Sequence, residues 1–307
     1  MASFRFFMLS FVLLATTTLP SQAGAGKKVV LCSTFPVYQI TRQLAQASPA
    51  LEVQLMLPAA AGCPHDYALT PQDLRKLGGA DLFIINGQGL EEFLDDVRRA
   101  SPGLAIADSS GGITDLLPYT GEGDDALDED HNHGGMNPHL FASPRMRATI
   151  AWNIATALGK LDPAGAADYQ TRAKAYAEKM EALAGDLAAL GTRLANKRVV
   201  TQHGVFDYLA RDMGLEVVAV VQAHPGQEPS AAEMLAIVRT AREKKAGAVF
   251  TEPQYPDRVG QAIAREAGIP AATLDPVATG PEDAPPDHYE TMMRQNMRTL
   301  ERVLGVR

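Results

Sequence analysis

Cysteine is scarce: 307 residues contain two, Cys32 and Cys63. Two thiols exclude a disulfide scaffold and any four-cysteine zinc or iron–sulfur site within one chain. Positive charge is also short. Lys and Arg number 28 against 36 Asp and Glu, a formal net charge of −8, which argues against an ordinary basic nucleic-acid binder. No apolar run reaches the roughly 18 residues that a membrane-spanning helix needs. H-E-x-x-H, P-loop and G-x-S-x-G motifs are missing, as is a complete dinucleotide fingerprint. What is there is apolar material for sizeable cores, 46% of the chain, over a length of about two domains. Histidines number seven, so their chemistry depends on where they sit.

Residues 1–23 read as a secretory signal. Arg5 lies near the start, an apolar run covers 6–15, and Ser21-Gln22-Ala23 supplies small residues for cleavage. As a helix that run covers ~15 Å, against a hydrocarbon core of ~30 Å, too short for an anchor. No cysteine stands at the junction to carry a lipid. The expected product is soluble and exported, and export makes a Cys32–Cys63 disulfide chemically accessible.

Short β-branched runs at 29–32, 53–57, 81–85 and 104–107 alternate with helix-like stretches near 37–47, 71–78, 90–99 and 145–160. The pattern repeats with runs at 198–201, 216–221, 248–251 and 271–274 and helices near 205–213, 230–244, 257–267 and 287–304. Such alternation implies βαβ units, hence two α/β lobes, each with a four-stranded parallel sheet flanked by helices. Between them Asp162-Pro163 opens a helix. Tyr169, Ala173, Tyr176, Met180, Leu183, Leu187, Leu190 and Leu194 then recur at alternating steps of four and three. A one-sided stripe of that length makes a rigid helix of ~45 Å, long enough to join two lobes. A coiled-coil dimer seam is the competing reading. The expected organisation is signal 1–23, N-terminal lobe 24–161, linking helix 162–194 and C-terminal lobe 195–307.

Residues 119–137 differ in kind. Glu122, Asp124, Asp125, Asp128, Glu129 and Asp130 precede His131 and His133 among glycines, with no apolar period. The segment reads either as a solvated acidic loop or as a flexible metal collector using Asp128, Asp130, His131 and His133.

In open α/β sheets ligands bind beyond the carboxyl ends of strands. His65 follows the second strand, His203 follows the fifth and Asp275 follows the eighth, while His139 sits shortly before a helix opened by Ser143-Pro144. Each histidine taken singly is more often a cap or a surface residue; the shared placement in both lobes is what singles out the set. If both lobes face one cleft, three imidazoles and a carboxylate converge there, a donor set suited to tetrahedral zinc. His224 and His288 lack this placement and stay outside the set.

At these residues the chain resembles the metal-type periplasmic solute-binding proteins of ABC transporters, in particular their zinc-uptake members. The matching stretches are Phe35-Pro36-Val37-Tyr38, Pro64-His65-Asp66-Tyr67-Ala68-Leu69-Thr70-Pro71, Asn137-Pro138-His139, Gln202-His203-Gly204, Phe250-Thr251-Glu252-Pro253-Gln254 and Leu274-Asp275-Pro276. The resemblance implies a Zn2+ ion between two lobes joined by one rigid helix, with ligands at His65, His139, His203 and Asp275. It also implies a membrane permease as partner, with a metallochaperone as a further candidate, a monomeric binder, and neither an enzyme nor a nucleic-acid partner. Manganese-type relatives commonly carry a carboxylate where this chain has His203, and imidazole moves a site toward zinc.

Glu252 ends a strand beside the expected site, where it would orient a ligand imidazole or else face solvent. Cys63 departs from the family pattern; a disulfide with Cys32, a small buried residue and a thiolate near the metal are all open, the disulfide favoured. The alternatives to zinc delivery are manganese or iron binding in the same transporter class, a secreted zinc-dependent hydrolase using Glu252 as base, and an adhesin. Binding through neutral imidazoles predicts that affinity falls as pH drops below about 6.5.

Overall fold

A computed structural model describes residues 26–61, 64, 67–119, 135–222 and 227–307. The expected signal 1–23, Cys63, His65, and the loop residues Asp128, Asp130, His131 and His133 lie outside the described residues.

The first half runs β1 (Lys28–Cys32), α1 (Phe35–Leu44), β2 (Leu51–Leu55), α2 (Pro71–Gly78), β3 (Leu82–Ile85), α3 (Leu94–Ala100), β4 (Ala105–Asp108) and α4 (Pro144–Leu161). Its sheet is parallel throughout, in the order β2-β1-β3-β4. After α5 (Ala166–Arg193), the second half runs β5 (Arg198–Thr201), α6 (Asp207–Met213), β6 (Glu216–Val220), α7 (Ala231–Glu243), β7 (Ala248–Thr251), α8 (Arg258–Ala267), β8 (Ala271–Thr273) and α9 (His288–Leu304). Its sheet repeats the first, in the order β6-β5-β7-β8. β3 and β7 are buried along their whole length, as apolar runs covered on both faces must be. In each lobe the chain changes direction of travel after its second strand. The switch points therefore lie beyond the ends of β1 and β3, and of β5 and β7, where such folds bind ligands.

Helix starts follow local chemistry. Thr70 and Asp73 close a capping box around the start of α2, Ser230 and Glu233 do the same for α7, and the Ser143 hydroxyl accepts from Met146 N–H at α4. α3 begins four residues later than its apolar pattern suggests. The chain before it is taken up by two turns, one closed by Leu90 N–H on Gly87 carbonyl and the next by Leu94 N–H on Glu91 carbonyl.

The long helix α5 spans 28 residues, ~42 Å at 1.5 Å per residue. Its stripe of Tyr169, Ala173, Tyr176, Met180, Leu183, Leu187 and Leu190 is buried within the chain, in the same core cluster as residues of α1, α4, α6 and α9. That burial leaves no apolar seam of α5 for a dimer partner. Gly191 permits the closest approach, since a Cβ there would sit 1.9 Å from Met213 carbonyl oxygen. Arg147 of α4 is fully buried beneath the lobe junction. Its guanidinium stacks 3.7 Å from the Tyr289 ring centroid, Nε donates to Tyr176 hydroxyl and Nη1 to Phe141 carbonyl. One side chain thereby ties α4, α5 and α9 to the loop that follows His139.

The disulfide expected between Cys32 and Cys63 is not made: Cys32 is a free thiol. It ends the central strand β1 with no exposed surface, enclosed in an apolar core cluster where it packs as a small hydrophobe. Burial pushes this thiol up to about 12, against the weaker opposing effect of a hydrogen bond from Thr41.

Candidate metal centre

The switch point of the C-terminal lobe carries two of the candidate residues side by side. His203 lies two residues past β5 and Glu252 directly past β7, and these strands are paired neighbours. Both side chains are fully buried, and His203 Nδ1 meets Glu252 Oε1 at 2.5 Å. A carboxylate acceptor there requires the proton on Nδ1, which places the Nε2 lone pair on the opposite side of the ring. Glu252 is itself held: its Oε2 accepts from Gln254 Nε2.

The other histidine arrives from the first half of the chain. His139 is wholly buried, and its Nδ1 meets Asn137 Oδ1 at 2.8 Å while its backbone N–H reaches the same oxygen at 2.9 Å. Asn137 Nδ2 donates to Gly204 carbonyl at 2.6 Å and to Asp207 Oδ2 at 2.9 Å. Two acceptors on one side fix which end of the amide is nitrogen, so Oδ1 must face the imidazole. His139 thus shares the Nδ1–H tautomer of His203, and the two rings lie 5.0 Å apart between centroids at an interplanar angle of 77°. Tyr119 and Phe141 flank His139, and Tyr255 flanks His203.

Support for His139 comes from both lobes. Asn86, just past β3 at the N-terminal switch point, donates Nδ2 to Pro138 carbonyl at 2.9 Å. Tyr208 of α6 donates its hydroxyl to Asn137 carbonyl at 2.7 Å and accepts from Leu117 N–H. The loop bearing His139 is therefore pinned to the first lobe behind and to the second in front.

Asp275 stands two residues past β8, next to β7 in the sheet, and is partly buried. Its Oδ1 accepts from Val277 N–H at 2.7 Å. Burial raises its pKa; the hydrogen bond from Val277 and the nearby His288 act in the opposite direction. His288, left outside the set on sequence grounds, therefore lies within electrostatic reach of Asp275. Among the described residues no three His, Cys, Asp or Glu side chains gather closely enough to hold an ion. The structure brings His139, His203 and Glu252 together, and Asp275 to the same end of the second sheet.

A family model described as "ZnuA: Zinc-uptake complex component A periplasmic" matches residues 30–303. The chain belongs to this family. Zinc-binding protein AdcA of Streptococcus pyogenes serotype M6 (strain ATCC BAA-946 / MGAS10394) is 29% identical over 293 residues, covering 90% of this chain and 56% of AdcA. The chain thus spans about half the length of that relative. High-affinity zinc uptake system protein ZnuA of Bacillus subtilis (strain 168) is 29% identical over 306 residues, covering 95% of this chain and 92% of that one. Among solved structures, the SBP FpvC of P. aeruginosa in complex with Ni2+ superposes with a TM-score of 0.76 at 29% identity, over 91% of this chain and 97% of FpvC.

Within this ZnuA-type frame, sequence reasoning passed over Asn137 and Asn296. Asn137 had a legible signal: asparagine two residues before histidine is the spacing of an Asx turn, the contact its side chain makes to His139 N–H. Asn296 had none. It lies on α9, 21 residues beyond Asp275, and holds both backbone polar groups of that residue.

Proposed function

We propose that this chain is the zinc-binding component of an ABC-type uptake system, taking Zn2+ between its lobes and delivering it to a membrane permease. His65, His139, His203 and Asp275 are the ligands in this reading, and Glu252 and Asn137 orient two of the imidazoles. The carrying observation is the pair His139 and His203. Two buried imidazoles from opposite halves of the chain lie 5.0 Å apart, each with Nδ1 engaged by an oxygen acceptor. Histidines that hold a metal through one nitrogen characteristically donate through the other.

A donor set rich in imidazole suits zinc over manganese, and four protein ligands make a closed site suited to carriage. Residues 1–23 direct the chain to the periplasm, the lobes are 24–161 and 195–307 about the helix at 162–194, and the protein works as a monomer. The acidic segment around Asp128, Asp130, His131 and His133 gathers ions weakly ahead of the cleft, where a metallochaperone is a further source.

Metal analysis of the purified protein, followed by competition titration of zinc against manganese, tests the reading. One tightly held zinc per chain, lost in His203→Ala, is expected. Zinc content unchanged in a His65→Ala, His139→Ala, His203→Ala triple variant overturns it. Deleting residues 122–134 should leave the tight site in place.

A further inference from the structure

Two segments leave their own lobe and come to rest on the other. The first lies between β4 and α4 and has two arms, 115–119 and 135–137. The arms are joined by Asn137 N–H on Leu117 carbonyl at 2.8 Å and by Tyr119 N–H on Gly135 carbonyl at 3.1 Å. Both are held by α6 of the second lobe. The fully buried Tyr208 hydroxyl accepts from Leu117 N–H at 3.2 Å and donates to Asn137 carbonyl at 2.7 Å. One turn on, Arg211 Nη1 donates to Asp115 carbonyl at 3.0 Å.

The second segment lies between β8 and α9 and crosses the opposite way. Its root is stiff. Asn296 on α9 clamps both backbone groups of Asp275, and Val277 is fully buried at a φ of +59°, which a β-branched residue keeps only where its surroundings over-determine it. Beyond this root, Gly280 N–H reaches Ala59 carbonyl of the first lobe at 3.2 Å. Arg42 Nη1 of α1 donates to Glu282 carbonyl at 2.7 Å and to Ala284 carbonyl at 3.3 Å. Gly280 lies against the Phe35 ring at the start of α1, where a Cβ would sit 2.5 Å from Phe35 Cζ. Only glycine fits that approach.

α1 and α6 are equivalent elements: each follows the first strand of its lobe, and those strands hold the same place in the two sheets. The crossings are therefore reciprocal, with each lobe gripping a segment of the other through the same helix. We propose that the two segments are straps that act together and hold the lobes docked with no bound ion. Parting the lobes breaks both sets of bonds in one motion. Their strengths add, and an amide in one strap is protected by the other as well. His139 stands two residues past Asn137 of the first strap, and Asp275 two residues before Val277 at the root of the second. A docked junction thus fixes both before anything binds, which lowers the ordering cost of binding.

Hydrogen exchange in the metal-free protein tests this at the two amides that span the junction, Leu117 N–H and Gly280 N–H. In wild type both should be protected, and exchange at the rate of an open chain at either one overturns the proposal. Gly280→Ala drives a methyl group into the Phe35 ring and loosens the second strap. Exchange at Leu117, on the far strap, should then rise ~10-fold, the scale of one lost hydrogen bond. The amides of β3 and β7 should remain the slowest, with the far-ultraviolet circular dichroism unchanged, so that the lobes part without unfolding. A folded Gly280→Ala in which Leu117 exchanges as in wild type makes the two contacts independent and overturns the proposal. Where that variant does not fold, Tyr208→Phe carries the test from the other side. It removes the hydroxyl from the first strap and should speed exchange at Gly280 ~10-fold, and an unaltered rate there again overturns the proposal.

Discussion

Each lobe buries a glutamate at the switch point of its sheet, and the two carboxylates do different work. Glu91, in the turn after β3, accepts from Ser33 hydroxyl at 2.6 Å and from the backbone N–H groups of Asn86 and Gly87. It closes a loop on itself. Glu252, after β7, has one oxygen on His203 and the other on Gln254, so its charge faces the candidate site. The strand order is the same in both lobes, and so is the burial. What differs is which groups reach the carboxylate first. Backbone donors make Glu91 a structural brace, while an imaginary exchange of its partners for an imidazole would make it a second Glu252.

The imidazoles show the same division. His203 is backed by a carboxylate, which raises the basicity of a ligating ring. His139 is backed by a neutral amide whose nitrogen bridges to Gly204 and Asp207 of the opposite lobe. One arrangement adjusts donor strength; the other couples the histidine to the lobe junction.

The largest expected effect comes from removing the rings themselves. His139→Ala with His203→Ala should lower zinc affinity by more than the ~10–100-fold typical of outer partners, as read by chelator competition. Affinity retained within that range would place the ion elsewhere.

Next comes the charge on one side of the comparison. Glu252→Gln should weaken zinc binding ~10–100-fold with little change in melting temperature. A large stability loss with unchanged affinity would make Glu252 a brace like Glu91.

The converse holds for Glu91→Ala. It leaves two buried N–H groups without their acceptor and should cost ~1–3 kcal/mol of stability, measured by denaturant unfolding, while zinc affinity stays near wild type. Burial raises the Glu91 pKa, opposed by the hydrogen bonds from Ser33, Asn86 and Gly87. A folded-state value above the ordinary one means that the folded protein binds the proton more tightly. The stabilisation from this linkage is fully present below the ordinary carboxylate range and is lost as pH rises through the raised value. Wild type should therefore gain on Glu91→Ala as pH falls toward the carboxylate range, and a gap independent of pH would show that the carboxylate is not titrating as described.

The smallest effect concerns Cys32. With its thiol pushed up to about 12 by burial, it should resist alkylation in the native protein at pH 8 and react fully in denaturant, as followed by peptide mass spectrometry. Rapid native labelling would contradict the enclosed free thiol.

Much of this architecture could be read before any coordinates. Alternating β-branched runs and helical stretches located all eight strands, with 198–201 and 248–251 matching to the residue. The stripe from Tyr169 to Leu190 announced α5 because burial on one face of a helix leaves a 3.6-residue period in the sequence. β2 lies two residues earlier than the run at 53–57 suggested, because Met56 and Leu57 are apolar yet continue beyond the ladder as a buried loop. Strand-end position drew attention to His203, Glu252 and Asp275, since it is a local property of where an apolar run stops. Asn296 and the left-handed turn at Val277 left no such mark: the contacts of Asn296 reach Asp275 from 21 positions away, and nothing in valine's chemistry advertises a positive φ.

The scarcity of cysteine narrowed the candidate donors to imidazole and carboxylate, because side-chain identity is written directly in the chain. Two α/β lobes and a rigid connector followed from periodicity, which local hydrophobic burial imposes. Which imidazole Glu252 supports, the free state of Cys32 and the clamp on Asp275 were decided only by tertiary structure. Each depends on which groups meet across the lobe junction or across the sheet, and a hydrogen bond between distant segments has no period to read.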